Sequence, residues 1–265
     1  MVEQNAKKEI AIFGIKIYRI LQYFIIYSML GFILETTFAL VVYGKLESRQ
    51  GFLYGPVCPI YGVGAVFMIV GLQKFKKNGY TIFAGGILIG SIVEYAISLF
   101  GEKILNVRWW DYSDKFLNLN GRICLLYSVY WGIIAIYLMK SLNPQIDKFL
   151  EFITKKLGDK IMNITTIAII IFLFVNCILS AIAINTLLSR TVVENGLQAQ
   201  NKEQYEKTYD YFYNNERRKK LVDKFWNEEK IIKTYPNLRL SMENGSVIYV
   251  QDYYKYVQPY YYKFK

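Results

Sequence analysis

Two carboxylates stand where a carboxylate is costly. Glu35 interrupts the otherwise uncharged run Ile20–Val41, and Glu94 interrupts Gly79–Phe100. Each lies a few residues short of the same end of its run, so at 1.5 Å per residue both sit roughly 9–12 Å below one surface. An ionised carboxylate facing lipid at that depth costs several kcal/mol, so each must face a bundle interior, pair with a cation or hold a proton. Three chemistries fit: binding a polar substrate, relaying a proton, or general acid–base catalysis on a lipid or envelope precursor. In the catalytic version Arg49 or Arg122, each just ahead of an apolar run on that side, would stabilise a developing anion. The same residues also allow a plain Glu–Arg lock that holds helices in register.

A second stretch points to the same place. "GFLYGPVCPIYG", Gly51–Gly62, carries three glycines, two prolines, Tyr54 and Tyr61 at the start of an apolar run. With Pro59 in a first helical turn, only Pro59–Gln73 is left to be helical, too short to cross a membrane alone. The missing length falls on Gly51–Cys58, where the prolines disfavour helix. Non-helical backbone at membrane depth is tolerated only against protein or a wet cavity. The stretch therefore reads as an irregular or re-entrant entry bordering a polar pocket, or else as a kinked helix start with glycines for packing. The loop "VRWWDYSDKFLNLNGRICLLYS" adds Trp110, Asp111, Asn120 and Arg122 at the same mouth, although Trp and Tyr are at home at any membrane interface.

The elements that must position these residues are long apolar runs. The chain of 265 residues is 54% hydrophobic and 17% aromatic with a net charge of +11, and its apolar residues come in blocks. Spans are expected near 20–43, 51–72, 79–100, 123–139 and 161–189, giving a five-helix all-α membrane domain over 1–189. Lys7, Lys8, Lys16, Arg19, Lys74, Lys76, Lys77, Lys140, Lys148, Lys155, Lys156 and Lys160 gather on one side, which places the N-terminus in the cytoplasm of a multi-pass cell-membrane protein. The N-terminal run reads as a retained first helix rather than a cleaved signal. "NPQIDKFLEFITKKLG" predicts a separate interfacial helix over 144–157, capped by Asn143 and ended by Gly158. Residues 190–265 form a small α+β region on the far side: an aromatic helix near Tyr205–Tyr213, and a hairpin turning at Asn244–Gly245. The closing "YYKYVQPYYYKFK" reads as contact with a membrane surface or as part of a cap over the outer loops.

Several classes are excluded or disfavoured. The chain has no histidine, which removes His-based triads, H-E-x-x-H zinc sites and His proton relays. Cys58, Cys124 and Cys177 show no metal-binding spacing and read as buried small hydrophobes, although Cys58 and Cys124 lie near one face, where a disulfide is open to them. No metal or cofactor is called for, and an extracytoplasmic C-terminal region argues against nucleic acid as a partner.

"GFLYGPVCPIYG", the two Glu-bearing runs, "WWDYS" and "NLNGRICLLYS" together resemble the bacterial membrane proteins grouped as putative ABC-transporter type IV permeases, over about Tyr18–Met139; "NEEKIIKTYPNLRL" is similar to a later segment of such proteins. The resemblance implies a transport-associated membrane component. With no G-x-x-x-x-G-K-[ST] loop in this chain, any ATPase would be a separate subunit. The expected partners are the bilayer, that ATPase, and a second copy through Gly86-x-x-x-Gly90. The expected site comprises Glu35, Arg49, Tyr54, Tyr61, Glu94, Trp110, Asp111, Asn120 and Arg122.

Overall fold

A computed structural model describes residues 10–105 and 107–263; Lys7 and Lys8 lie outside them. A two-residue-per-strand hairpin, β1 (Ala11–Ile12) and β2 (Ile15–Lys16), turns at Phe13 and Gly14, both with positive φ, and feeds α1 (Ile17–Tyr43). After β3 (Lys45–Glu47) and an irregular segment, α2 (Pro59–Leu72) is followed by a short 3-10 turn, α3 (Gly79–Phe100), and a π-helical turn Gly101–Leu105. Then come β4 (Val107–Arg108), α4 (Leu125–Tyr137), α5 (Asn143–Leu157) and α6 (Asp159–Glu194).

Among the described residues, four helical runs are long and apolar enough to cross a membrane: Ile17–Tyr43, Gly79–Ile104, Leu125–Leu157 and Asp159–Glu194. The remaining apolar helix, Pro59–Phe75, is shorter, and Pro59 occupies its first turn. Its deficit follows from the prolines, which keep Gly51–Cys58 out of the helix.

The interfacial helix differs from expectation. α4 runs through a π-helical turn, Leu138–Leu142, directly into α5, so Asn143 sits inside a continuous helix and caps nothing. The widened turn just ahead of Pro144 gives its ring room without breaking the helix. The helix ends where expected, at Gly158 with φ +84°.

The bundle packs α1 on α2 and α3 on α4. A Cβ at Gly90 would lie 2.3 Å from Trp131, and one at Gly86 2.3 Å from the Cβ of Ala135. The Gly86/Gly90 face expected to serve a second copy is therefore filled by α4 of the same chain.

At 36 residues, α6 is about 54 Å long and outreaches the bilayer. Its upper part enters a second core made with α7 (Lys202–Tyr213), α9 (Glu228–Thr234) and the hairpin of β5 (Arg239–Ser241) and β6 (Val247–Tyr249), while α8 (Glu216–Phe225) packs on α7. That hairpin turns at Gly245 with φ +80°, as expected. The core takes in Leu53 and Val107 from the loops of the bundle. Two sheets join cap to loops: β4 pairs with β5, and β3 pairs with β7 (Tyr260–Lys263), Leu46 opposite Tyr262. Within the closing segment, Tyr260–Lys263 is a strand laid on β3, an arrangement that fits a cap over the loop after α1.

Candidate functional site

The irregular entry is accounted for bond by bond. The Gly51 amide donates to the Val57 carbonyl at 2.8 Å, the Val57 amide to Gly55 at 2.9 Å, and the Cys58 amide to the Ser28 carbonyl on α1 at 2.8 Å. The middle of the segment is held by α6. Ser180 Oγ accepts from the Leu53 amide at 2.7 Å, while Asn176 accepts from the Tyr54 amide at 3.1 Å and donates to the Tyr54 carbonyl at 2.5 Å. Asn176 and Ser180 are both buried, which is how backbone without helix persists there. Tyr54 itself turns to the cap, where the Lys230 ammonium lies 4.5 Å from its ring centre.

Below this clamp the carboxylates sit on neutral donors. Tyr61 Oη donates to Glu35 Oε1 at 2.5 Å. Its ring packs 5.5 Å from that of Trp131, and a Cβ at Gly31 would lie 2.3 Å from the Tyr61 Cβ, so only glycine leaves room for this side chain. Trp131 Nε1 donates to Glu94 Oε2 and Tyr112 Oη to Glu94 Oε1, each at 3.1 Å. Tyr112 comes from the loop between α3 and α4, stacked 4.5 Å from Tyr127. Its phenol is pushed well above the ordinary tyrosine range, first by burial, then by the nearby charge of Glu94, with Tyr127 and Glu35 adding to it. Glu94 is 5% exposed and Glu35 half-buried. Among the described residues no Lys or Arg nitrogen lies within 4.0 Å of either carboxylate.

The expected Glu–Arg pairing is thus not present. Arg49 takes Glu47 at 2.6 Å and lies over the Tyr43 ring. Arg122 pairs with Glu102, which also holds Arg108 at 2.9 Å. A nearer carboxylate holds each arginine. Trp110 Nε1 donates to the Arg122 carbonyl at 2.9 Å, and Asn120 to Tyr95 Oη at 2.9 Å. Asp111 accepts from the Ser113 amide and hydroxyl and so shapes its own turn. Of the nine expected residues, Glu35, Tyr61 and Glu94 share one hydrogen-bonded and ring-packed cluster. Trp110, Asp111, Asn120 and Arg122 build the loop that delivers Tyr112, while Arg49 and Tyr54 belong to the contact with the cap.

Tyr112 is carried by the loop motif "WWDYS" already placed at this mouth; Trp131, Glu102, Arg108, Asn176 and Ser180 were missed. Asn176 and Ser180 carried a signal, being polar and four apart on the last apolar run, hence on one face. The three cysteines are free, with no disulfide joining Cys58 to Cys124. Among the described residues no group of acidic or cysteine side chains could hold a metal ion.

A second polar layer lies at the other end of the bundle. Tyr23 donates to Asp147, Tyr27 to Asn143 at 3.0 Å, and Asn143 to Asp147 at 3.1 Å. Between the two layers the core is apolar, with Ala65, Met68, Ile69 and Ala135 buried.

A family model described as "Putative ABC-transporter type IV" matches residues 22–181, a stretch that contains both carboxylates, the irregular entry and both clamp residues. No curated protein and no solved structure matches the chain.

Proposed function

The chain belongs to the family described as putative ABC-transporter type IV, and from that premise we propose that it is a permease-like membrane subunit whose cap-side pocket takes up a proton or a cationic group on Glu35 and Glu94. The single observation that carries this is that, among the described residues, Glu35 and Glu94 have no lysine or arginine nitrogen within 4.0 Å and are bonded to Tyr61, Trp131 and Tyr112, all neutral. Neutral donors soften the cost of a buried charge but do not cancel it, so the site gains from binding a positive partner. The buried apolar layer between Glu35 and Glu94 and the Asp147 layer supports the reading of a gated path. A separate ATPase would supply the energy. On the distribution of lysines the cap faces outside the cell and the Asp147 layer the cytoplasm.

The test is Glu35→Gln and Glu94→Gln. The amide keeps the shape and can still accept from the same donors, so both variants are expected to insert and melt in detergent close to wild type. At least one should fail to complement a strain lacking the protein. Infrared difference spectra across a pH step should lose a protonated-carboxyl band in the variant that fails. Full complementation by both variants, or a marked loss of stability in both, would assign the carboxylates a structural role.

A further inference from the structure

A groove of about 580 Å³ lies where α7 packs across α6, remote from the two carboxylates. Its lining includes the apolar Ile104, Ala181 and Ile182 and, further along α6 and on α7, the polar Asn185, Thr208 and Lys207. Ile104 stands in the π-helical turn that ends α3. Ile182 is 23 residues into α6, about 34 Å from its start, which is close to one hydrocarbon thickness. The groove is therefore level with the cap-side membrane boundary, its apolar part facing the acyl chains and its polar part the headgroups.

The next helix adds an independent observation. Tyr211, at the rim of the groove, carries the Arg218 guanidinium 3.9 Å above its ring. Arg218 belongs to the run Arg217, Arg218, Lys219, Lys220 at the start of α8. On the same helix Leu221 and Phe225 are 54% and 45% exposed, four residues apart and bordered by Lys220 and Lys224. A short helix that turns apolar and basic side chains outward is unsatisfied in water and satisfied on a negatively charged bilayer.

We propose that this groove binds one anionic phospholipid of the surrounding bilayer, an acyl chain lying on Ile104 and Ile182 and the phosphate reaching Lys207 and the α8 cations. The proposal is independent of the carboxylate reading, because it involves none of those residues.

Native mass spectrometry of the full chain released from phosphatidylcholine bilayers with and without phosphatidylglycerol tests it. Wild type should retain phosphatidylglycerol in preference to phosphatidylcholine. A cation near the surface contributes about fivefold to lipid attachment, so Lys207→Gln with Arg218→Gln should weaken retention about 25-fold. Ile182→Trp, which fills the groove and leaves every charge in place, should also abolish it. Equal retention of the two lipids would overturn the proposal, as would unchanged phosphatidylglycerol retention in either variant. Loss in the charge variant alone would mean a basic surface without a groove site, which also overturns it.

Discussion

Asn176→Ala is the sharpest test of how the irregular entry is held. The substitution removes both partners of the Tyr54 peptide groups, the acceptor at 3.1 Å and the donor at 2.5 Å. A buried backbone group left without a partner costs about 1–3 kcal/mol, so the pair costs about 2–6 kcal/mol. Water from the cap side relieves part of this, since Tyr54 is only half-buried, which brings the expectation to about 2–4 kcal/mol. At 1.4 kcal/mol per tenfold, the open population of the segment rises roughly 30- to 1,000-fold. Cys58, half-buried at the end of the segment, reports opening through its rate of modification by a maleimide in a Cys177→Ser background. Ser180→Ala removes one partner, that of Leu53, and should give a smaller rise. Labelling rates and melting temperatures equal to wild type in both variants would refute the clamp.

Glu102→Gln leaves Arg122 and Arg108 without their shared carboxylate, and should lower stability in detergent by about 3–5 kcal/mol, the cost of stranding a buried charge. Asp114→Asn, which breaks an exposed pair, should leave the melting curve in place; equal effects of the two would count against the buried triad. Single cysteines at Lys76 and Lys155 should be modified only from the cytoplasm, and at Lys115 and Asp252 only from outside. Labelling of Lys115 and Asp252 from opposite sides would contradict the sheets that join cap to loop.

The helical frame was legible because its signals are local. Uncharged runs set the spans, Gly158 and Gly245 announced their turns, and Pro56 and Pro59 marked the end of regular backbone. Counting residues also brought Glu35 and Glu94 to the same end of the bundle, where Tyr61 and Trp131 link them. What sequence did not give was pairing. Arg49 and Arg122 were matched with the carboxylates that needed a cation, yet Glu47 is two residues from Arg49, and Glu102 stands where the third span ends. Trp131 looked like one more apolar residue until packing against Gly90 turned its indole N–H on Glu94. Asn143 and Pro144 have the form of a helix start, and only the π-helical turn ahead of them lets the helix run through. The destination of the closing strand depends on a loop more than 200 residues earlier, which no local pattern encodes.

The clamp on the irregular entry also dictates an order of assembly. Leu53 and Tyr54 find their partners 127 and 122 residues further along the chain, so when the first helices leave the ribosome those peptide groups have nothing to bond but water. Until α6 arrives they cannot be left in lipid. The nascent chain must therefore keep the second apolar run shallow, or shelter it in the insertion machinery, while the third, fourth and fifth runs are made. Maturation of the bundle is then completed from its last membrane helix backward. Shortening or mis-inserting α6 should expose Gly51–Cys58 to membrane quality-control proteases even though every residue of that segment is intact.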